Sequence, residues 1–389
     1  MKLHLILALM VILSQLALAQ THPYEVKFSH QIESELAEEK IRPSRAGLLY
    51  SLIGDYHNSN QYSDIPISWG VDSLSLESYS TQNAIRKIVE VAEKQQVVII
   101  SENHLKPQHR IFANKVITEL AKIGFEHLGL ETFTTISNSN TLLDSTLSER
   151  GYPLNSPLTG TYTLEPQMGN LVRNAIKSNL KLFAYERSQK IEGKDRDEIQ
   201  ADNIIKYLEL NPKARIIIVC GFHHAIESNM VKRGNSYWMA KYLKEKSGID
   251  PLTIYQDNFT EKFIETEHFL LKDLKIDEPS VFVHKSGQIV SVTQNVDIEI
   301  IHPKTIYIDG RPNWLFESNK PVKVNLDSFD INFPIIVSAF LIDEVNSVPI
   351  DRIELKHKYD KKLLALKAGE YRITIYDGEV INEYNQTVK

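Results

Sequence analysis

The sequence predicts an α/β fold, a mainly parallel sheet flanked by helices, with a small C-terminal all-β module of sandwich type. Three observations carry that expectation. Val97-Val-Ile-Ile100 sets four β-branched residues in a row without alternation, the pattern of a strand covered on both faces. Comparable apolar runs recur along the chain, each followed at once by polar or ionisable residues and separated by stretches of helical periodicity. From about Asn319 the helical stretches cease, and short alternating runs divided by Asp, Gly and Pro turns take over.

In chain order, the first segment is MKLHLILALMVILSQLALAQ: one early lysine, Lys2, an apolar stretch, then Ala17-Leu-Ala19. Small residues two apart behind an apolar core end a secretory signal peptide, so residues 1–19 are expected to be removed and the protein exported, periplasmic or secreted. The apolar run is short for a bilayer crossing and no later stretch is better suited, so no membrane span is expected after signal removal. Residues 20–318 then form the expected α/β domain and residues 319–389 the β-module.

Between Tyr24 and Tyr79 the chain is mixed and polar, apart from a helical stretch over Arg45–Ile53. Thr81–Lys94 sets Ala84, Ile85, Ile88, Val89 and Ala92 on one helical face, so a helix delivers the strand at Val97. That strand stops in Ser101, Glu102, Asn103 and His104. Pro107 suits the first turn of a helix over Gln108–Ile123, and Gly124 its stop. A strand over His127–Leu130 follows and ends at Glu131, closing a βαβ unit whose crossover should be right-handed.

Thr132–Gly160, rich in Thr, Ser, Asn and Pro, has the composition of a lid or binding loop. A helix over about residues 167–178 leads to a strand ending at Tyr185, with Glu186 and Arg187 behind it. Asp195–Leu210 is helical and is broken by Asn211-Pro212. Arg215–Cys220 is a strand that runs into Gly221, Phe222, His223 and His224. A helix over Ser236–Lys246 and a strand over Leu252–Tyr255, the latter followed by Gln256, Asp257 and Asn258, complete the series. In the tail, Val322–Leu326, Ile335–Leu341 and Tyr371–Tyr376 are strands.

Composition narrows the function. With 389 residues and 42% hydrophobic content the chain can bury a large core, and a net charge of -6 gives no electrostatic footprint for nucleic acid. The single cysteine, Cys220, falls in a buried strand, so no intramolecular disulfide is possible, and it reads as a small core residue. No G-x-S-x-G elbow, P-loop, H-E-x-x-H, paired C-x-x-C or G-x-G-x-x-G is present. The chemistry available is that of histidines and carboxylates.

Polar groups just past the carboxyl ends of parallel strands share one rim, where open α/β sheets bind ligands. Glu102 and His104, two apart, point the same way from an extended backbone, and an ionised Glu can orient an imidazole for proton transfer near neutral pH. A solvated loop pair is the plain alternative. Glu131 sits between apolar Leu130 and the uncharged Thr132-Phe133, where a carboxylate needs a partner: His104, His224 or a metal. Gly221 permits a turn that projects His223 and His224 over the rim, and one of the two can simply fill space. Arg187 and Arg196 are candidates to grip an anion or an oxyanion, with a surface ion pair to Asp195, Asp197 or Glu186 as the alternative for Arg196.

Ser-Glu-Asn-His at 101–104, Gly-Leu-Glu-Thr-Phe at 129–133, Glu-Arg at 186–187 with Arg-Asp-x-x-x-Ala-Asp-Asn-Ile from 196, and Gly-Phe-His-His-Ala at 221–225 together resemble the erythromycin esterase-like / ChaN-like superfamily, which has TraB-like relatives. The resemblance spans about Val97 to Tyr255 with the order of motifs kept. It implies Glu102, His104, Glu131 and His224 as the central group and Arg187 as a supporting cation. Ser101 and His223 stand where the family has Gly, which leaves the choice between His223 and His224 to register; register favours His224.

The convergence of these groups at strand ends, with the signal peptide and the resemblance to esterase-like members, leads to the expectation of an exported, esterase-like hydrolase in which His104 acts as general base on water, Glu102 and Glu131 orient it, and His224 serves as second acid/base or oxyanion donor with Arg187. Its substrate would be a small molecule or a peptide, and no cofactor is required. Two alternatives share the site: a divalent metal held by Glu102, His104, Glu131 and His224, as in a TraB-like peptidase, or haem binding without turnover, as in a ChaN-like protein. In a further alternative, the β-module binds a partner.

Overall fold

An all-apolar strand has to be covered on both sides, and Val97–Glu102 is buried at every position. The computed structural model describes residues 26–63, 78–229, 231–232, 236–261, 274–292 and 295–389. Its main sheet is built from β1 (Tyr79–Asn83), β2 (Val97–Glu102), β3 (His127–Leu130), β4 (Lys181–Phe183), β5 (Ile216–Gly221), β6 (Leu252–Phe259), β7 (Ser280–His284) and β8 (Ile298–Ile301), in the order β1-β7-β8-β6-β2-β5-β3-β4. From β4 to β8 every pairing is parallel, and β7 and β1 close the other edge antiparallel. This is the α/β fold read from the sequence.

The described helices are α1 (Ser29–Ala37), α2 (Pro43–Leu52), α3 (Tyr56–Gln61), α4 (Ala84–Ala92), α5 (Pro107–Lys122), α6 (Leu147–Arg150), α7 (Pro166–Lys177), α8 (Arg196–Leu210) and α9 (Met239–Ser247). Period-two alternation sorts the strand residues between two cores. Val98, Ile100, Leu128, Ile217 and Val219 pack with α4, α5 and α7, whereas Val97, Ile99, Ile216 and Ile218 pack with α8 and α9. Local chemistry sets the helix ends: Pro107 opens α5, Gly124 at φ +92° follows it, and the Asp195 side chain accepts from Glu198 N at 2.8 Å to cap α8.

The carboxyl-terminal module begins after a two-stranded ribbon, β9 (Tyr307–Ile308) with β10 (Arg311–Pro312). Strands β11 (Lys320–Val322), β12 (Ile335–Leu341), β13 (Asp351–Leu355), β14 (Leu364–Leu366), β15 (Gly369–Tyr376) and β16 (Ile381–Val388) make a four-stranded antiparallel sheet, β13-β12-β15-β16, and a β11-β14 ribbon that share one core. The module is docked on the body. Phe28, Ile32, Leu49 and Ile53 from the amino-terminal segment pack with Ile336 and Val348, and Nη2 of buried Arg311 donates to both carboxylate oxygens of Asp351 at 2.7 and 2.6 Å.

Three differences from the sequence expectations have physical causes. Thr81–Asn83 is the end of an edge strand rather than the start of a helix, because it pairs with Ser280–Phe282, and Asn83 caps the helix that follows. Gln256, Asp257 and Asn258 lie inside β6, not past its end; Gln256 Nε2 reaches the Ser101 carbonyl at 2.5 Å and Asp257 accepts from Asn103 at 3.0 Å, so burial is tolerated. The strand expected over Val322–Leu326 lies instead at Lys320–Val322, where pairing with Leu364–Leu366 fixes its extent. The signal peptide at 1–19 lies outside the described residues; among those described, no helix is long and apolar enough to cross a membrane.

Candidate active site

Strand order creates the site. β5 lies between β2 and β3, with Glu102 opposite Gly221 and Leu130 opposite Val219, so three chain segments distant in sequence end side by side. Their next residues are the ionisable ones.

The first half is centred on His104. Its Nδ1 lies 2.8 Å from Glu102 Oε1. Glu102 is buried, and although burial alone would raise its pKa, the Arg110 guanidinium and His104 outweigh it and hold the carboxyl at about 2. An ionised carboxylate can only accept, so the Nδ1 proton of His104 is fixed there and Nε2 is left to take a proton. Arg110, also fully buried, gives Nε to Glu102 at 2.6 Å and Nη1 to Glu165 at 2.9 Å, and Glu165 in turn accepts from Tyr56 at 3.0 Å. The imidazole is sandwiched by packing as well: Tyr162 stacks on it at 4.1 Å and Phe222 meets it edge-on at 5.3 Å.

The second half is centred on Glu131. Its Oε2 accepts the Gly221 backbone N–H and its Oε1 accepts from Arg196 Nη2. His104 Nε2 lies 3.9 Å and His224 Nε2 3.7 Å from that same Oε1. Burial opposes ionisation of Glu131, but His224, His104, Arg196 and the Gly221 N–H together lower its pKa, so it is a fixed anion and a poor base. His224 Nδ1 lies 2.5 Å from Asp197, which also accepts from Lys232 and from Met239 N. Burial pulls the His224 pKa down, yet Glu131 and Asp197 overcome it and raise it. His224 therefore holds its proton more tightly than an ordinary histidine.

Two backbone features make room for this. A Cβ built on Gly221 would stand 2.3 Å from His104 Nε2 and 3.0 Å from Glu131 Oε2, so only glycine lets the two halves close on each other. The next residue, Phe222, sits at φ +41°, a left-handed conformation that costs a bulky residue on the order of 1–3 kcal/mol and is held by its surroundings.

The structure thus brings together Glu102, His104, Glu131 and His224. Arg187 is placed apart from them, on the wall of an adjoining cavity; the cation in contact with Glu131 and His224 is Arg196, with Nη1 3.4 Å from His224 Nε2. The ion pair considered for Arg196 exists, to Glu186, but it extends inward to Glu131. His223 turns away toward Trp238, ring centroids 5.0 Å apart, and burial lowers its pKa to about 4. Sequence reasoning missed Arg110, Glu165 and Tyr162. Arg110 sits within a helix and Glu165 one residue before Pro166, and neither position advertises a contact to the rim; Asp197, expected as part of the Arg-Asp motif or as a surface partner of Arg196, is instead the anchor of His224.

Among the described residues no group of three or more His, Cys, Asp or Glu side chains is arranged to hold a metal ion. The donor set explains this: the oxygens of Glu102 and Glu131 are taken by Arg110, His104, Arg196 and a backbone N–H. Cys220 is buried beneath the rim, and burial raises its thiol pKa well above the usual value.

Fold and site together define an α/β protein with two carboxylate-anchored imidazoles at the carboxyl ends of a mostly parallel sheet. No family model and no curated protein matches the chain. Among solved structures, the type III effector HopBA1 aligns at 12% identity and TM-score 0.36, covering 62% of this chain and 100% of that one. A structure described as bacterial protein toxins aligns at 14% identity and TM-score 0.29, covering 54% and 45%. Likeness at this level carries no functional argument, and the chemistry rests on the residues themselves.

Proposed function

We propose that the chain is an exported hydrolase of the esterase-like kind that activates water with His104. The observation that supports this best is a contact: His104 Nδ1 lies 2.8 Å from a carboxylate held by a buried arginine, which leaves Nε2 facing the same Glu131 oxygen as a second histidine, His224. His104 Nε2 removes a proton from water as the oxygen attacks the acyl carbon. His224 in its protonated form and Arg196 stand where negative charge develops on the acyl oxygen. Collapse breaks the acyl–oxygen bond, and the proton taken by His104 passes to the leaving alkoxide, so ester and water give acid and alcohol. Glu131 keeps both cations in place rather than acting as the base.

A positioned general base contributes about 100- to 10,000-fold. The purified wild type is expected to hydrolyse members of a broad ester panel and His104→Ala to lose a factor of that order in kcat. Equal rates for the two proteins across the panel would overturn the proposal.

A further inference from the structure

A cavity of about 430 Å³, the size of a small-molecule site, is walled by Thr132–Thr135, Thr161, Tyr162 and the Glu186–Ser188 segment together with Glu131 and Arg196, and it adjoins the two histidines through Glu131. The charges on this wall are not equally engaged. Glu186 accepts from Arg196 Nε at 3.0 Å, from Gln200 at 2.8 Å and from the Arg187 backbone N–H at 2.6 Å, so its lone pairs are filled and it turns inward. Arg196 is in turn shared between Glu186 and Glu131. The hydroxyls of Thr134 and Thr135 are bonded to backbone carbonyls, to Pro157 at 3.1 Å and Ser139 at 2.6 Å. Among the charged groups on this wall, all of them described, the half-buried Arg187 guanidinium alone has no side-chain hydrogen bond or ion pair, whereas Glu131, Glu186 and Arg196 are each engaged.

We infer that Arg187 is the anchor for an anionic group on the substrate, and that the substrate class is an ester carrying a separate carboxylate. The inference rests on the hydrolase reading of the adjoining centre. A single uncompensated guanidinium matches one negative charge, and its planar fork matches two carboxylate oxygens. The two carboxylates in the wall, Glu131 and Glu186, are offset by two cations, Arg196 shared between them and protonated His224 beside Glu131, which weakens their repulsion of such a ligand. Bound there, the anion shares the cavity with Glu131 and with Tyr162, the residues that contact His104, so the remainder of the substrate can extend toward Nε2. Arg187 thereby selects the substrate, while Arg196 and His224 serve the reacting atoms.

The test compares a p-nitrophenyl half-ester of glutaric acid with the neutral p-nitrophenyl ester of valeric acid, equal in chain length. A charge-assisted hydrogen bond of the usual strength gives the half-ester a roughly 10- to 100-fold advantage in kcat/KM, carried mainly by KM. Arg187→Ala should abolish that ratio and Arg187→Lys should keep part of it. A ratio that is unity in wild type, or unchanged in Arg187→Ala, overturns the inference. Should wild type hydrolyse neither these two nor any ester of the broad panel, the hydrolase reading fails on its own; binding of glutarate by calorimetry still decides whether the anion subsite exists, and binding absent from wild type or unchanged in Arg187→Ala overturns it.

Discussion

At the scale of single residues, the two histidines differ because their anchors differ. His104 depends on Glu102 being ionised, and Glu102→Gln replaces an obligate acceptor by a group that can also donate, so the imidazole loses its fixed tautomer. Activity on any ester the wild type hydrolyses should fall about 100- to 10,000-fold, read as kcat with KM little changed. Stability moves too. The Glu102 pKa is depressed from 4.5 to about 2, so its contribution is complete above pH 4.5 and is lost as pH falls toward 2, on the order of 3 kcal/mol. Denaturant melts across that range should show wild type losing stability and Glu102→Gln, already destabilised, losing less. His224 behaves with the opposite sign. Its pKa is raised, so its ionic contribution is full at acid pH and is lost as pH rises through the raised value. If protonated His224 supports turnover, the alkaline limb of the pH profile reports it, and Asp197→Asn, which removes one of the anions that raise it, should move that limb to lower pH. An unmoved limb would separate His224 from catalysis.

At the scale of elements, the site is a property of strand ends. Gly221→Ala adds one methyl where 2.3 Å is available to His104 Nε2. The strand itself has its full ladder and the fold should survive, with kcat down about 100-fold or more from displaced groups, checked by near-native circular dichroism alongside the rate. The buried Arg110 joins β2 to the start of α7 through Glu165, which also caps that helix by accepting from Met168 N at 2.9 Å. These elements show what a sequence can display. β-branched runs at 97–100 and 216–219 mark buried strands, and ionisable groups just after them mark the rim, because both signals are local and depend on the chain's own periodicity. Glu102, His104, Glu131 and His224 were legible for that reason. Arg110 and Glu165 were not: their importance comes from a contact across 55 residues between two helix beginnings, and nothing adjacent in sequence encodes it. Arg187 and Arg196 were both visible, but Arg196 is the first residue of α8 and is aimed at Glu131 and Glu186 by that helix, whereas Arg187 lies in the preceding loop.

At the scale of the whole molecule, the β-module is part of the body rather than an appendage. Arg311 and Asp351 form a buried pair, Arg352 donates to the Leu52 carbonyl at 2.8 Å, and Arg173 reaches Glu344 at 2.9 Å. Removing one member of a buried ion pair strands the other, so Arg311→Ala is expected to cost about 3–5 kcal/mol. Calorimetry should show one cooperative transition for both parts, shifted down in that variant; two separated transitions would show the module melting independently. The sequence marked where strands replace helices near residue 319, but not that α1 and α2, at the other end of the chain, supply the surface on which the module rests.

The place of β5 in the sheet has a consequence for how the molecule is made. While the chain emerges from the ribosome, β2 and β3 exist for some 90 residues without the neighbour that belongs between them, and their facing edges cannot be satisfied by each other without closing the gap that β5 must enter. Synthesis therefore has to pass Ala225 before the four side chains can meet, and a nascent chain released earlier would carry Glu102, His104 and Glu131 without the strand that sets them side by side.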